Sequence, residues 1–292
     1  MDWTKPILDS LAAQPAIGYL PGAALAAEPT AIAALALAVH GRHEAAQRAA
    51  DALVKMQGDD GAVGIRAGEA APGWPTSLAI VAWSAVGNAL RGVPALPGVP
   101  ERHRGRSLQD NIGRASAWLL ANRGNSIPRS RDFGHNPELI GWAYAEQTHS
   151  WVEPTSFAVL ALKAAGKAGD LAAREGVAVL LDRQLPGGGL NYGNTYVLGQ
   201  LIRPHVQPTG IALLALAGET GGSERVAKSI AWLRRSIGPK TTPLSLGWAL
   251  LGLRAQGVDV PQSDEWLAGV AAQAKSVHKL ALLALAAKGW PA

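Results

Sequence analysis

Glu28-Pro29-Thr30-Ala31-Ile32-Ala33-Ala34-Leu35 decides the fold, because the chain repeats it. Trp74-Pro75-Thr76-Ser77-Leu78-Ala79-Ile80-Val81, Glu153-Pro154-Thr155-Ser156-Phe157-Ala158-Val159-Leu160 and Gln207-Pro208-Thr209-Gly210-Ile211-Ala212-Leu213-Leu214 are copies of the same unit. Such recurrence marks a repeat architecture. A weaker copy begins at Thr242-Pro243-Leu244, and Val277 to Lys288 reads as a last helix without the Pro-Thr start. One more hairpin is expected before Glu28.

Each copy has one local logic. Proline is tolerated in the first turn of a helix, where its missing N–H costs nothing, and an Ala- and Leu-rich run follows it. Gly41, Gly87, Gly166 and Gly257 stand where the runs stop, as helix-ending glycines do. A second, amphipathic helix is then expected at His43 to Gln57, Asn111 to Asn122, Ala168 to Gln184 and Glu224 to Ser236. The Pro-Thr helices are apolar around nearly their whole circumference, whereas the second helices carry charge on one side, so the first set should be inner. Hairpins that cannot cover their own apolar faces must stack. The expected fold is all-α, an α/α toroid of about five or six helical hairpins. It forms one domain over residues 1–292, with repeats from about 20 to 290. An open solenoid is the alternative, but its apolar last helix would lack a polar cap.

Composition narrows the function classes. The chain has no Cys, which removes disulfides, thiolate nucleophiles and Cys-containing zinc sites. Its 27 Lys+Arg against 22 Asp+Glu give a net charge of +5, but the cations are scattered, so no nucleic-acid partner is implied. No apolar run has the length of a membrane span, and no secretory leader pattern opens the chain. A cytoplasmic location is therefore expected, with peripheral contact at a membrane left open.

The ends of the second helices carry a further pattern. Arg48, Leu53, Gln57 and Gly61 form a series of basic, apolar, Gln and Gly residues, and Arg174, Leu180, Gln184 and Gly189 form another. The turn Gln184-Leu185-Pro186-Gly187-Gly188-Gly189-Leu190-Asn191-Tyr192 has Leu190 where a Trp would complete the motif. These turns resemble the QW-type repeats of squalene cyclases and protein prenyltransferase subunits. The resemblance implies a toroid with a central cavity for an isoprenoid. It does not carry over the chemistry. The zinc site of the prenyltransferases needs a Cys that is missing, and neither the DxDD acid motif of the cyclases nor a DDxxD magnesium motif occurs. The nearest approach, Gln57-Gly58-Asp59-Asp60, lies in a repeat turn and reads as local hydrogen bonding.

Candidate site residues come from the long connection before the third Pro-Thr helix. Arg129, Arg131, His135, Trp142, Tyr144, His149 and Trp151 form its basic and aromatic cluster. Long loops are where binding residues concentrate. Tyr192, Arg203 and His205, before the fourth Pro-Thr helix, are expected to join them, because parallel inner helices would bring their N-termini to one rim and favour an anionic head group. The bland reading is an insertion packed by its aromatics, with Glu28 and Glu153 as ordinary helix-start acids. His135 with Glu138, and His149 with Glu153, have metal-like spacings, but Pro137 and Pro154 interrupt them, so neither a metal nor another cofactor is assigned. No catalytic residue is named.

The expected ligand is an isoprenoid or similar apolar small molecule. If catalysis accompanies binding, cyclisation or isomerisation of a terpenoid is the implied reaction. A non-catalytic scaffold for a protein partner is the second reading. A polysaccharide lyase or hydrolase on an α/α toroid, suggested by Asn191 to His205, is the third.

Overall fold

The computed structural model describes residues 2–69, 71–91, 101–130 and 132–291, without the side chains of 101–107. Among them are twelve helices and one two-stranded hairpin, so the all-α class is the observed one. The helices are α1 (Thr4–Ala13), α2 (Ala27–Val39), α3 (His43–Val54), α4 (Thr76–Ala89), α5 (Glu101–Ala121) and α6 (Val152–Ala164), followed by α7 (Leu171–Asp182), α8 (Val206–Ala215), α9 (Ser223–Ser236), α10 (Pro243–Ala255), α11 (Ser263–Ala271) and α12 (Val277–Lys288). The strands β1 (Tyr196–Val197) and β2 (Gln200–Leu201) pair antiparallel. Gly41, Gly166 and Gly257 take positive φ just after α2, α6 and α10, as helix-ending glycines should. Gly87 does not end its helix but lies inside α4. Helix α5 starts ten residues earlier than its apolar periodicity suggests, because Glu101 to Asp110 is too polar to register as an amphipathic run.

The chain divides into two compact units. The first comprises Met1–Ala121, Ala164–Gly166 and Gln273–Ala292, and the second Asn122–Lys163 and Lys167–Ala272. In the first unit α2 packs against α1, α3, α4 and α12, and α4 packs against α3 and α5. Residues Ala31 to Leu37 of α2 are all fully buried, as are Leu78, Ala79, Ile80, Ala82 and Trp83 of α4. A helix that is apolar all round must be covered all round, and here both neighbours along the chain and the distant α12 do so. In the second unit α8 packs on α9 and α10, and α10 on α11. The α8 and α10 backbones meet at Gly210 and Gly252: a Cβ on Gly252 would lie 2.2 Å from the Gly210 carbonyl oxygen, so neither position accepts a side chain. Phe157 of α6 meets Trp248 of α10 at 5.4 Å between ring centroids.

The Pro-Thr signature has a single structural cause. In four copies the Thr is fully buried, and its Oγ1 accepts a hydrogen bond from the backbone N–H of an earlier residue. Ile17 is held by Thr30 at 3.1 Å, Val63 by Thr76 at 2.7 Å, Trp142 by Thr155 at 2.9 Å and Leu190 by Thr209 at 2.8 Å. Each clamp pins the segment that enters a Pro-Thr helix to the first turn of that helix. The spacing is 13 residues in the first three copies and 19 in the fourth.

The turns that follow the second helices are equally regular. Gln57 Nε2 donates to the carbonyls of Gly61 and Asn111, both at 3.0 Å, and Gln184 Oε1 accepts from Ser229 at 2.6 Å. Gly61, with positive φ, sits where a Cβ would come within 2.5 Å of the Arg114 carbonyl oxygen. Gly188, not Gly189, is its counterpart: its Cβ would come within 2.3 Å of the Lys228 carbonyl oxygen. Asp60 accepts from the Ala62 N–H at 3.0 Å, the local bond expected of a turn acid.

Candidate functional site

Two residues beyond each clamped backbone position the chain presents a side chain ahead of a Pro-Thr helix. That side chain is Tyr19, Ile65, Tyr144 and Tyr192 in the four copies. Immediately before each Pro-Thr stands Glu28, Trp74, Glu153 or Gln207. Because the Thr clamp fixes both ends of the intervening segment, tyrosine and glutamate are brought together twice. Tyr19 Oη donates to Glu28 Oε2 at 2.7 Å, and Tyr144 Oη donates to Glu153 Oε2.

In the second unit this pair is the hub of an aromatic cluster. Glu153 is only 7% exposed, and its Oε1 accepts from Gln207 Nε2 at 2.8 Å. The Trp151 ring lies 4.6 Å from that of His149 and 6.3 Å from that of Tyr144, tilted against both. Tyr192 lies 5.2 Å from the His205 ring, and its backbone carbonyl accepts from Val152 N–H at 2.7 Å. Burial and the neighbouring Glu153 carboxylate both push the Tyr192 hydroxyl pKa upward. Burial, reinforced by the Arg183 charge, pushes His149 down, and its Nε2 is buried without a hydrogen-bond partner. Tyr144 and Tyr192 thus neighbour one carboxylate, Trp151 and His149 extend the cluster from Tyr144, and His205 extends it from Tyr192.

The other expected residues lie differently. Trp142 is buried in the core beneath the Arg123 guanidinium, 5.2 Å from its ring, so it supports the segment rather than facing solvent. Arg129 is tied to Glu138 at 2.8 Å and to Asn136 at 3.1 Å. His135 contacts Thr195 Oγ1 at 3.2 Å, and burial, with the Arg183 charge, lowers its pKa to about 4. Arg203 is exposed and makes no ion pair among the described residues. Arg131 lies outside the described residues. A surface pocket of about 90 Å³ at the far end of α6, lined by Val159, Lys163, Arg174 and Glu219 among others, contains none of these side chains.

Beside the cluster the β1–β2 hairpin exposes an apolar surface. Tyr196, Val197, Leu198 and Leu201 are all exposed, Leu198 at 97%. Leu198 and Gly199 both have positive φ, as a two-residue turn of the mirror-image type requires. Asn or Gly normally fills the position that Leu198 occupies.

Sequence reasoning passed over the corresponding cluster in the first unit. Glu28 does occupy the first turn of α2, as a helix-start acid would, but its carboxylate meets Tyr19 and approaches His278 at 3.7 Å. The signal available was the spacing: tyrosine precedes Glu-Pro-Thr by nine residues in both copies. His278 could not be found that way, since α12 lacks the Pro-Thr start.

No protein-family model matches the chain, and no curated protein does. The likeness to squalene cyclases and prenyltransferases therefore stands on the motifs alone. Among solved structures the chain is similar to the native conformation of E. coli alpha-2-macroglobulin determined by cryo-EM, with 17% identity and a TM-score of 0.52, over 98% of this chain and 16% of that one. It is also similar to a crystal structure of native alpha-2-macroglobulin from Escherichia coli running from domain MG7 to the C-terminus, with 16% identity and a TM-score of 0.48, over 98% of this chain and 41% of that one. The chain thus spans less than half of either, and at 17% identity the likeness to the first is one of fold. Among the described residues no helix is long and apolar enough to cross a membrane.

Proposed function

We propose that the chain binds an isoprenoid or similar apolar molecule at the starts of α6 and α8. The observation that supports this most is the two groups of aromatic rings, Tyr144 with Trp151 and His149, and Tyr192 with His205, which meet the buried Glu153 carboxylate through Tyr144 and Tyr192. Aromatic faces give an apolar chain a large contact area, and a few polar groups among them orient its head. Arg203, exposed next to the cluster, is the cation for a phosphorylated head group. Cyclisation or isomerisation of the bound terpenoid is the activity to assay.

Thermal shift with polyprenyl diphosphates, the matching alcohols and neutral triterpene precursors tests binding, because a ligand specific for the native state raises the melting temperature. Trp151→Ala should abolish the shift, and Arg203→Ala should erase any preference for diphosphate. Mass spectrometry of the recovered ligand then separates an enzyme from a carrier. The absence of a shift with every isoprenoid would reject the proposal.

The exposed apolar hairpin favours a second reading, a scaffold whose partner covers Tyr196 to Leu201. Removing the hairpin should then abolish capture of that partner and leave isoprenoid binding unchanged. The sugar-cleaving reading gains no such support.

A further inference from the structure

Around the start of α7 one cation is left without a counter-ion. Asp170 accepts from the Ala172 N–H at 2.9 Å and caps the helix. Glu175 pairs with Arg123 at 2.8 Å and accepts from the Ile140 N–H at 3.0 Å, while Glu219 pairs with Lys163 at 2.7 Å. Lys163 is saturated as well: an ammonium has three N–H groups, and the carbonyls of Ala215 and Ala217, at 2.8 and 2.9 Å, take the two that Glu219 leaves. Arg174 is different. It is exposed, and among the described residues its guanidinium makes neither an ion pair nor a hydrogen bond. Arg48, the basic residue of the other repeat series, by contrast donates to the Ala12 carbonyl at 2.7 Å. The unpaired guanidinium also stands at a cavity. Arg174, Lys163 and Glu219 line the pocket of about 90 Å³ at the end of α6, and the half-buried Val177 and exposed Ala168 line it beside them. That space equals the liquid volume of about three waters.

We propose that this pocket binds the carboxylate of a small organic acid through Arg174. The planar fork of a guanidinium matches the two oxygens of a carboxylate, and here none of its donors is spent on the protein. The Lys163–Glu219 pair is neutral as a unit, so Arg174 sets the sign of the lining and an anion is the charge that suits it. Val177, Ala168 and the aliphatic stem of Lys163 take the carbon end of the ligand. An alcohol of the same size lacks the charge, and an ammonium ion meets Arg174 as a like charge and finds Glu219 already paired. The volume restricts the ligand to a few carbon atoms. The inference stands apart from the isoprenoid reading, since it shares no residue with it.

The test is NMR titration of the Val177 methyl resonances in the full chain with propionate, 1-propanol and propylammonium at constant ionic strength. Propionate should shift the Val177 signals saturably, and propanol should bind about tenfold more weakly, because it forfeits the charge-assisted bonds to Arg174. Arg174→Gln should reduce propionate to the affinity of propanol, while Arg234→Gln, which removes an exposed charge from α9, should leave propionate binding unchanged. Arg174 is exposed, so its replacement should fold, and the ligand series on the unaltered protein decides independently of any variant. The proposal is overturned if propionate leaves Val177 unmoved, if propanol binds as well, or if propylammonium binds more tightly. It is also overturned if Arg174→Gln and Arg234→Gln weaken propionate equally. The equal loss would mean diffuse attraction to a basic chain, and tighter ammonium binding would mean that Glu219 governs the pocket.

Discussion

Replacing Thr155 by Val asks whether the Pro-Thr clamp is what makes the repeat fold. The change keeps the side chain's shape and removes only the hydroxyl, which accepts from Trp142 N–H at 2.9 Å and lies 3.3 Å from the Trp142 carbonyl oxygen. Thr155 is fully buried, so no water replaces the lost acceptor. The Trp142 N–H is left unsatisfied, and a buried orphan donor costs roughly 1–3 kcal/mol. About 2 kcal/mol is a large fraction of the 5–15 kcal/mol by which a domain is stable. The measurement is urea unfolding followed by circular dichroism and tryptophan fluorescence, with Thr148→Val as control. Thr148 is only half-buried and its hydroxyl donates to the neighbouring Ala145 carbonyl at 2.8 Å in a solvent-exposed bond, so its loss should stay within roughly 0.5 kcal/mol. Thr155→Ser keeps the hydroxyl and should lose only about 1 kcal/mol, for the missing methyl. Equal losses for Thr155→Val and Thr148→Val would refute the clamp as the reason for the motif.

Gly188→Ala should destabilise the chain by several-fold more than Gly187→Ala in thermal melts. A Cβ at Gly188 would meet the Lys228 carbonyl oxygen at 2.3 Å on a backbone of positive φ, whereas Gly187 faces open space. Leu198→Asn should leave the melting temperature unchanged or raise it, since Asn tolerates the positive φ of Leu198 at a saving of about 1 kcal/mol. His278, with a native pKa near 4 against an ordinary value of 6.5, binds fewer protons folded than unfolded between those limits. Its contribution is therefore complete above pH 6.5 and lost as pH falls toward 4, on the order of 3 kcal/mol at most. Glu28 works in the opposite sense, its raised pKa favouring the fold at low pH, so Glu28→Gln should steepen the acid loss and His278→Gln should flatten it. Denaturant midpoints measured between pH 4 and 7 decide this.

The helices were legible because their causes are local. Apolar runs after Pro-Thr, and glycines at Gly41, Gly166 and Gly257, act within one or two turns of the chain. Gly87 misled because a glycine inside α4 has the same composition signal as one that ends a helix. The candidate residues Tyr144, His149, Trp151, Tyr192 and His205 were singled out by their density in two long connections, but density did not separate Trp142, which the clamp turns into the core. Glu153 as the hub was hidden by its plausibility as a helix-start acid. What no local pattern contains is a partner from another repeat. Gln207 reaches Glu153 across 54 positions, and His278 reaches Glu28 only because the last helix packs on α2.

The clamp spacing also dates the parts of the second unit relative to its scaffold in a physical sense. Three copies connect the pinned residue to its Thr in 13 positions and the fourth in 19, and the excess equals the six residues of the hairpin, Tyr196 to Leu201. Tyr192 before the hairpin and Gln207 after it hold the places that Tyr144 and Glu153 hold in the shorter copy, so the insertion leaves the clamp and its flanking side chains undisturbed. A fold that closes this segment three times without a hairpin does not require one the fourth time. The hairpin nonetheless places Leu198 almost fully exposed, on a backbone conformation that Leu disfavours. An apolar side chain with no packing to gain and local strain to bear is not explained by folding. The proposed partner and ligand readings each supply an explanation, which is why the hairpin and Trp151 are the two places where ligand and partner experiments should begin.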